Sequence, residues 1–127
     1  MTRALFPRVR AGAWTVRAVV AAGIQVRRRA VPDISLPAPP RVGEPGEGAV
    51  IGVVSGLRCR CLVRSLVLQR WHAGNGVRRD LFVGVTAPGR GFEAHAWLAD
   101  EAQPEATRFT TLLRRSPTDR EYAPPRA

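Results

Sequence analysis

Residues 61–100 read CLVRSLVLQRWHAGNGVRRDLFVGVTAPGRGFEAHAWLAD, and the hydrophobic rhythm changes within them. Between Cys61 and Ala73, Leu62, Val63, Leu66, Val67 and Trp71 carry strong apolar content at helical spacing, which predicts a helix over 61–73. Gly74-Asn75-Gly76 ends it, because a helix C-terminus favours glycine where the backbone turns left-handed. DLFVGVTA (80–87) then reads as a strand, PGRG (88–91) as a turn and FEAHAWLA (92–99) as the returning strand. TRFTTLL (107–113) supplies a third strand. A helix followed by two or three antiparallel strands is an α+β core.

Upstream, GAVIGVVSGLR (48–58) is apolar and reads as a helix broken near Ser55-Gly56. Residues 31–47 are rich in Pro and Gly and show no periodicity, which predicts an extended linker. Residues 8–29 form a further helix on which Trp14, Val16, Val20 and Ile24 share a broad apolar face. The expected organisation is therefore an Arg-rich N-terminal helix in 1–30, a linker in 31–47 and a core in 48–127. The Pro-containing tail from Ser116 is expected to be loose. So short a core is marginal alone, so the N-terminal helix or a partner is expected to cover it.

Net charge is +10, which raises nucleic acid or acidic lipid as partners. Two features weaken that reading. Every basic residue is Arg and none is Lys, a bias that matches GC-rich codon usage. The charge is also lopsided: Arg3, Arg8, Arg10, Arg17 and Arg27 to Arg29 lie in residues 1–30 with no acid among them, and the rest is nearly balanced. The helix bearing them is expected to dock on a partner protein, with membrane contact as the lesser alternative. No nucleic-acid motif or aromatic stacking pattern is present, so no nucleic-acid partner is expected.

Cys59 and Cys61 sit two apart, where side chains diverge, so a disulfide is disfavoured. They make only half a metal site, with no second Cys or His pair at ligand spacing, so neither metal nor cofactor is expected. Two free thiols fit a reducing, cytoplasmic location. The apolar run Ala18 to Ile24 is far short of a membrane span, and no small-residue cleavage site precedes Arg27-Arg28-Arg29.

Cys61 opens the 61–73 helix, where backbone N–H groups and the helix dipole favour a thiolate. Cys59 lacks that placement, and the plain alternative for Cys61 is a small buried apolar side chain. His95 lies on the second strand. Alternation puts Glu93, His95 and Trp97 on one face and Ala94, Ala96 and Leu98 on the other. The small alanines suit close packing, and a histidine held there meets the geometry of a Cys–His pair; otherwise it is structural. Asp100, Glu101 or Glu105 could each orient the imidazole from the following turn. His72, at the helix end, reads as a surface or C-cap residue. The order Cys, His, acid is papain-like and transglutaminase-like.

The residues themselves carry more. Cys61-Leu62-Val63-Arg64-Ser65-Leu66, then Gly84-Val85, then Ala94-His95-Ala96-Trp97 closely resemble the lasso peptide biosynthesis B2 proteins, which are transglutaminase-like leader peptidases. The resemblance is strong over residues 61–100 and looser through Pro39-Pro40-Arg41 and RFTTLLRR (108–115). It implies a small papain-like or transglutaminase-like core, and a cysteine peptidase that removes the leader from a ribosomally made (RiPP) precursor peptide. It implies Cys61 as nucleophile, His95 as general base and Asp100 as orienting acid, with Glu105 as the alternative third member. It further implies a separate leader-binding recognition protein of the B1 type (the RiPP recognition element) and an asparagine synthetase-like cyclase as partners. Two rival classes remain: a transglutaminase-type acyltransferase working through the same thioester, and a non-catalytic basic protein binding nucleic acid or membrane through residues 1–30.

Overall fold

The computed structural model describes residues 2–86, 94–99 and 109–125. Three helices precede a three-stranded sheet: α1 (Thr2–Gln25), α2 (Glu44–Gly56), α3 (Cys61–Gly74), β1 (Leu81–Thr86), β2 (Ala94–Leu98) and β3 (Phe109–Arg115). A short 3-10 turn covers Val31–Asp33. The sheet is antiparallel in the order β2-β1-β3, so among the described residues β2 and β3 are the edges. The class is α+β, as the residue pattern predicts.

Element boundaries differ from the periodicity in ways the chemistry explains. α1 starts six residues before Arg8 and stops at Gln25 rather than running to Arg29. The Gln25 side chain engages the chain beyond the helix instead. Its amide donates to the Ser35 carbonyl at 2.7 Å and accepts from the Ser35 N–H at 2.9 Å, folding the chain back on the helix end. α2 begins at Glu44, inside the stretch read as linker. Pro45 near the start, Glu44 and Glu47 in the first turn and Gly43 at φ 68° are helix-start signals that the abundance of Pro and Gly conceals. The break expected near Ser55-Gly56 is the end of that helix.

Packing is tight where the residues are small. Ala11, Ala18 and Ala22 are fully buried along α1, which lets α2 approach closely. Trp14 and Trp71 meet with ring centroids 5.6 Å apart. Trp71 also presses on Gly46 of α2, where an added Cβ would lie 2.7 Å from the indole. Val50, Val54, Leu66, Val67, Leu81 and Leu98 complete the core between the helices and the sheet.

The extended stretch after Asp33 lies on this core. Ile34 and Leu36 are buried, and the Trp14 indole donates to the Pro37 carbonyl at 3.0 Å. The tail is tied down rather than loose. Ala123 donates to the Ala73 carbonyl at 2.9 Å, and the Arg78 guanidinium sits 4.1 Å over the Tyr122 ring. Glu121 receives Arg115 at 3.0 Å and caps the Thr118 N–H at 2.9 Å. The reason is Arg115 itself, which is buried and needs acceptors that the tail and the 31–36 segment offer. Among the described residues, no helix is long and apolar enough to cross a membrane.

Candidate active site

α3 begins at Cys61, with Arg60 as N-cap in extended conformation (φ −61°, ψ 152°). The Arg60 side chain does not cap this helix start, and no acid lies in its first turn. The N–H groups of that turn are therefore left to other acceptors, and negative charge beside them is favoured. The thiol is held across the fold by a contact from β2: the Ala96 N–H donates to Cys61 Sγ at 3.4 Å. Among the described residues β2 is an edge strand, so an N–H directed away from β1 has no ladder partner there, and the sulfur takes it. The contact ties the start of α3 to β2 one residue beyond His95.

His95 is half-buried and its ring stacks on Trp97 at a centroid distance of 6.0 Å. Trp97 stacks in turn on Phe82 of β1 at 5.9 Å. Alternation along β2 sets this aromatic file on the face opposite Ala96 and Leu98, which are buried toward the helices. Ala96 is the small residue that allows α3 to come this close, as its place in the strand predicts. The thiol thus meets the free edge of β2 from the helical side, and the imidazole belongs to the preceding residue on the other face. Asp100, Glu101 and Glu105, the candidates for the orienting acid, lie outside the described residues, as does Glu93.

Cys59 stands in a different environment. Its backbone N–H bonds the Val54 carbonyl at 3.2 Å at the end of α2. Burial pushes its thiol above the usual range, and its backbone hydrogen bond offsets part of that. A thiol raised in this way is a weaker nucleophile than a free cysteine at the same pH. His72 corrects an expectation: it is buried rather than on the surface, and its Nε2 lies 3.9 Å from Glu47 Oε1 on α2. It joins two helices at the end of α3 remote from Cys61.

Two features escape a reading of the sequence. Ser65, one turn after Cys61, is fully buried and its Oγ has no hydrogen-bond partner among the described residues. A polar cluster then runs along the far half of α3. Gln69 donates to the Arg79 and Arg115 carbonyls at 2.8 Å each and accepts from Arg115 at 2.6 Å. Arg70 donates to the Glu121 carbonyl at 2.7 Å. Burial depresses the Arg70 guanidinium from its ordinary value, Glu121 counters that, and Arg115 adds to it. The repeated Arg in TTLLRR (110–115) was the available signal, but nothing in the pattern marks which of two adjacent arginines turns inward. Among the described residues, no three His, Cys, Asp or Glu side chains converge as a metal ion requires.

Searches of curated proteins and of solved structures returned no match. A family profile described as the transglutaminase-like superfamily matches residues 4–114. The match runs from α1 through almost all of β3 and takes in both Cys61 and His95. With most of its length matched and its helix-borne cysteine docked on a strand that carries a histidine, this chain belongs to the transglutaminase-like superfamily.

Proposed function

We propose that this protein is a cysteine peptidase that removes the leader from a ribosomally made lasso precursor peptide. The observation that carries the reading is the 3.4 Å contact between Cys61 Sγ and the Ala96 N–H, which joins a helix start that its N-cap side chain leaves open to the strand of His95. Membership of the superfamily supports cysteine-dependent acyl chemistry, and the Cys61–Leu66 and Ala94–Trp97 motifs support the narrower assignment.

In this mechanism His95 accepts the Cys61 proton and the thiolate attacks the scissile carbonyl carbon. The oxyanion forms beside the first-turn N–H groups of α3, which stabilise it without reorganisation. Collapse breaks the C–N bond, His95 returns the proton to the departing amine of the core peptide, and the leader stays on Cys61 as a thioester. Water, deprotonated by His95, then releases the leader acid and restores the thiol. Asp100 is the proposed orienter of the imidazole, with Glu105 as the alternative. The proposed partners are a leader-binding recognition protein and an asparagine synthetase-like cyclase, and the proposed location is the cytoplasm.

The superfamily also favours one second reading, acyl transfer of the same thioester to an amine. Mass spectrometry of the full chain incubated with precursor and recognition protein separates the two. Peptidase action yields free leader and free core. A leader joined to an added amine selects the transferase, and unchanged precursor rejects both.

A further inference from the structure

α1 has two apolar faces, and the fold uses only one. Ala11, Trp14, Thr15, Ala18 and Ala22 are turned inward and buried, so Trp14 does not share a face with Val16, Val20 and Ile24 as the residue pattern suggests. On the opposite side Leu5, Val9, Val16, Val20 and Ile24 recur at helical steps and are 48–61% exposed, with Phe6 beside them at 67%. At 100° per residue this stripe lies diametrically across from the buried alanines. It runs from Leu5 to Ile24, about 28 Å at 1.5 Å per residue. No acid occurs in α1, and its borders are basic. Arg8 flanks the stripe on one side and Arg10 and Arg17 on the other, all exposed. Among the described residues none of the three has a carboxylate partner. Arg10 and Arg17 also line a cavity of about 360 Å³ with Trp14, Pro39 and Pro40.

We propose that this face of α1 lies in the plane of an anionic lipid surface, with lipid phosphate held between Arg10 and Arg17. Charge decides the occupant. A second copy of the chain would set arginine against arginine with no acid to relieve it. A protein interface is ordinarily rimmed by mixed polar groups, whereas this rim is of one sign around an aliphatic and aromatic centre. An exposed apolar stripe bordered by arginines, on a helix that cannot span the bilayer, is the pattern of interfacial helices. The Arg stems follow the apolar surface while their guanidinium groups reach headgroup phosphates. Arg27, Arg28 and Arg29, exposed just past the helix end, extend the basic border. The inference does not depend on the peptidase reading, since no residue in it belongs to that site.

The test is co-sedimentation of the full chain with vesicles of phosphatidylcholine alone and of phosphatidylcholine with phosphatidylglycerol in equal parts. The expected result is partition onto the anionic vesicles only, weakening as salt rises from about 0.1 M to about 0.5 M. Arg10→Gln with Arg17→Gln should lower partition about 30-fold, from two charges near the surface. Val16→Glu with Val20→Glu, both at exposed positions, should abolish it while the far-ultraviolet circular dichroism stays unchanged. A variant that loses helicity is replaced by Val16→Ser with Val20→Ser, which should weaken partition without the added charge. Equal binding to both vesicle types, partition unmoved by these variants, or no vesicle binding with the stripe instead engaging a protein would each overturn the proposal.

Discussion

Cys61 and Cys59 differ by two positions and by everything around them. Cys61 stands at a helix start that its N-cap side chain leaves open, with the Ala96 N–H on its sulfur, while burial pushes the Cys59 thiol above its ordinary range. Iodoacetamide at mildly alkaline pH should therefore modify Cys61 first, and modification of Cys59 should need a higher pH than a free cysteine does. Peptide mapping of the alkylated protein checks the order, and faster labelling of Cys59 contradicts it. His95→Gln should lower leader release about 10²- to 10⁴-fold, the usual worth of a positioned proton acceptor. The two candidate residues stand out in the sequence because each has a local signature: a cysteine before a helical apolar run, and a histidine between two alanines. The bond that joins their elements does not, because an edge-strand N–H has no side-chain identity for a sequence to reveal.

At the scale of elements, the type of each helix and strand follows from its apolar period, and the boundaries follow from side chains with a second allegiance. Gln25 leaves α1 to bind both polar groups of Ser35, and Gly43-Glu44-Pro45 starts a helix inside a stretch whose composition reads as coil. Gly46 is the sharpest case. Its missing side chain admits Trp71, whose indole would lie 2.7 Å from a Cβ there. Gly46→Ala should destabilise the protein by about 1–3 kcal/mol, because overpacking outweighs the gain of roughly 0.5–1 kcal/mol in helix propensity. A denaturant midpoint at or above that of the wild type would show that α2 shifts freely on α3.

Taken as a whole, the chain is closed by residues that local pattern cannot connect. Arg115 donates to Gln69 of α3, to the Ile34 carbonyl at 2.9 Å and to Glu121 of the tail at 3.0 Å, so four separate stretches of sequence meet on one guanidinium. Both members of the Arg115–Glu121 pair are largely shielded from water. Removing one partner leaves a buried charge, so Glu121→Ala should cost about 3 kcal/mol. Asp119→Ala, which loses the exposed pair with Arg78, should change the unfolding free energy little. Equal effects of the two substitutions would deny the tail its structural part. These contacts reach across the chain, as from Arg115 to Ile34, which is why composition alone made the tail read as loose and the 31–36 segment as linker.

The central claim is that Cys61 is the nucleophile of a leader peptidase. It is tested most directly by the rate of leader release from the precursor, with recognition protein present, for wild type, Cys61→Ala and Cys59→Ala. The account predicts a fall of about 10³-fold or more for Cys61→Ala, as when a catalytic nucleophile is removed, and near wild-type release for Cys59→Ala. Release by Cys61→Ala at the wild-type rate would contradict it.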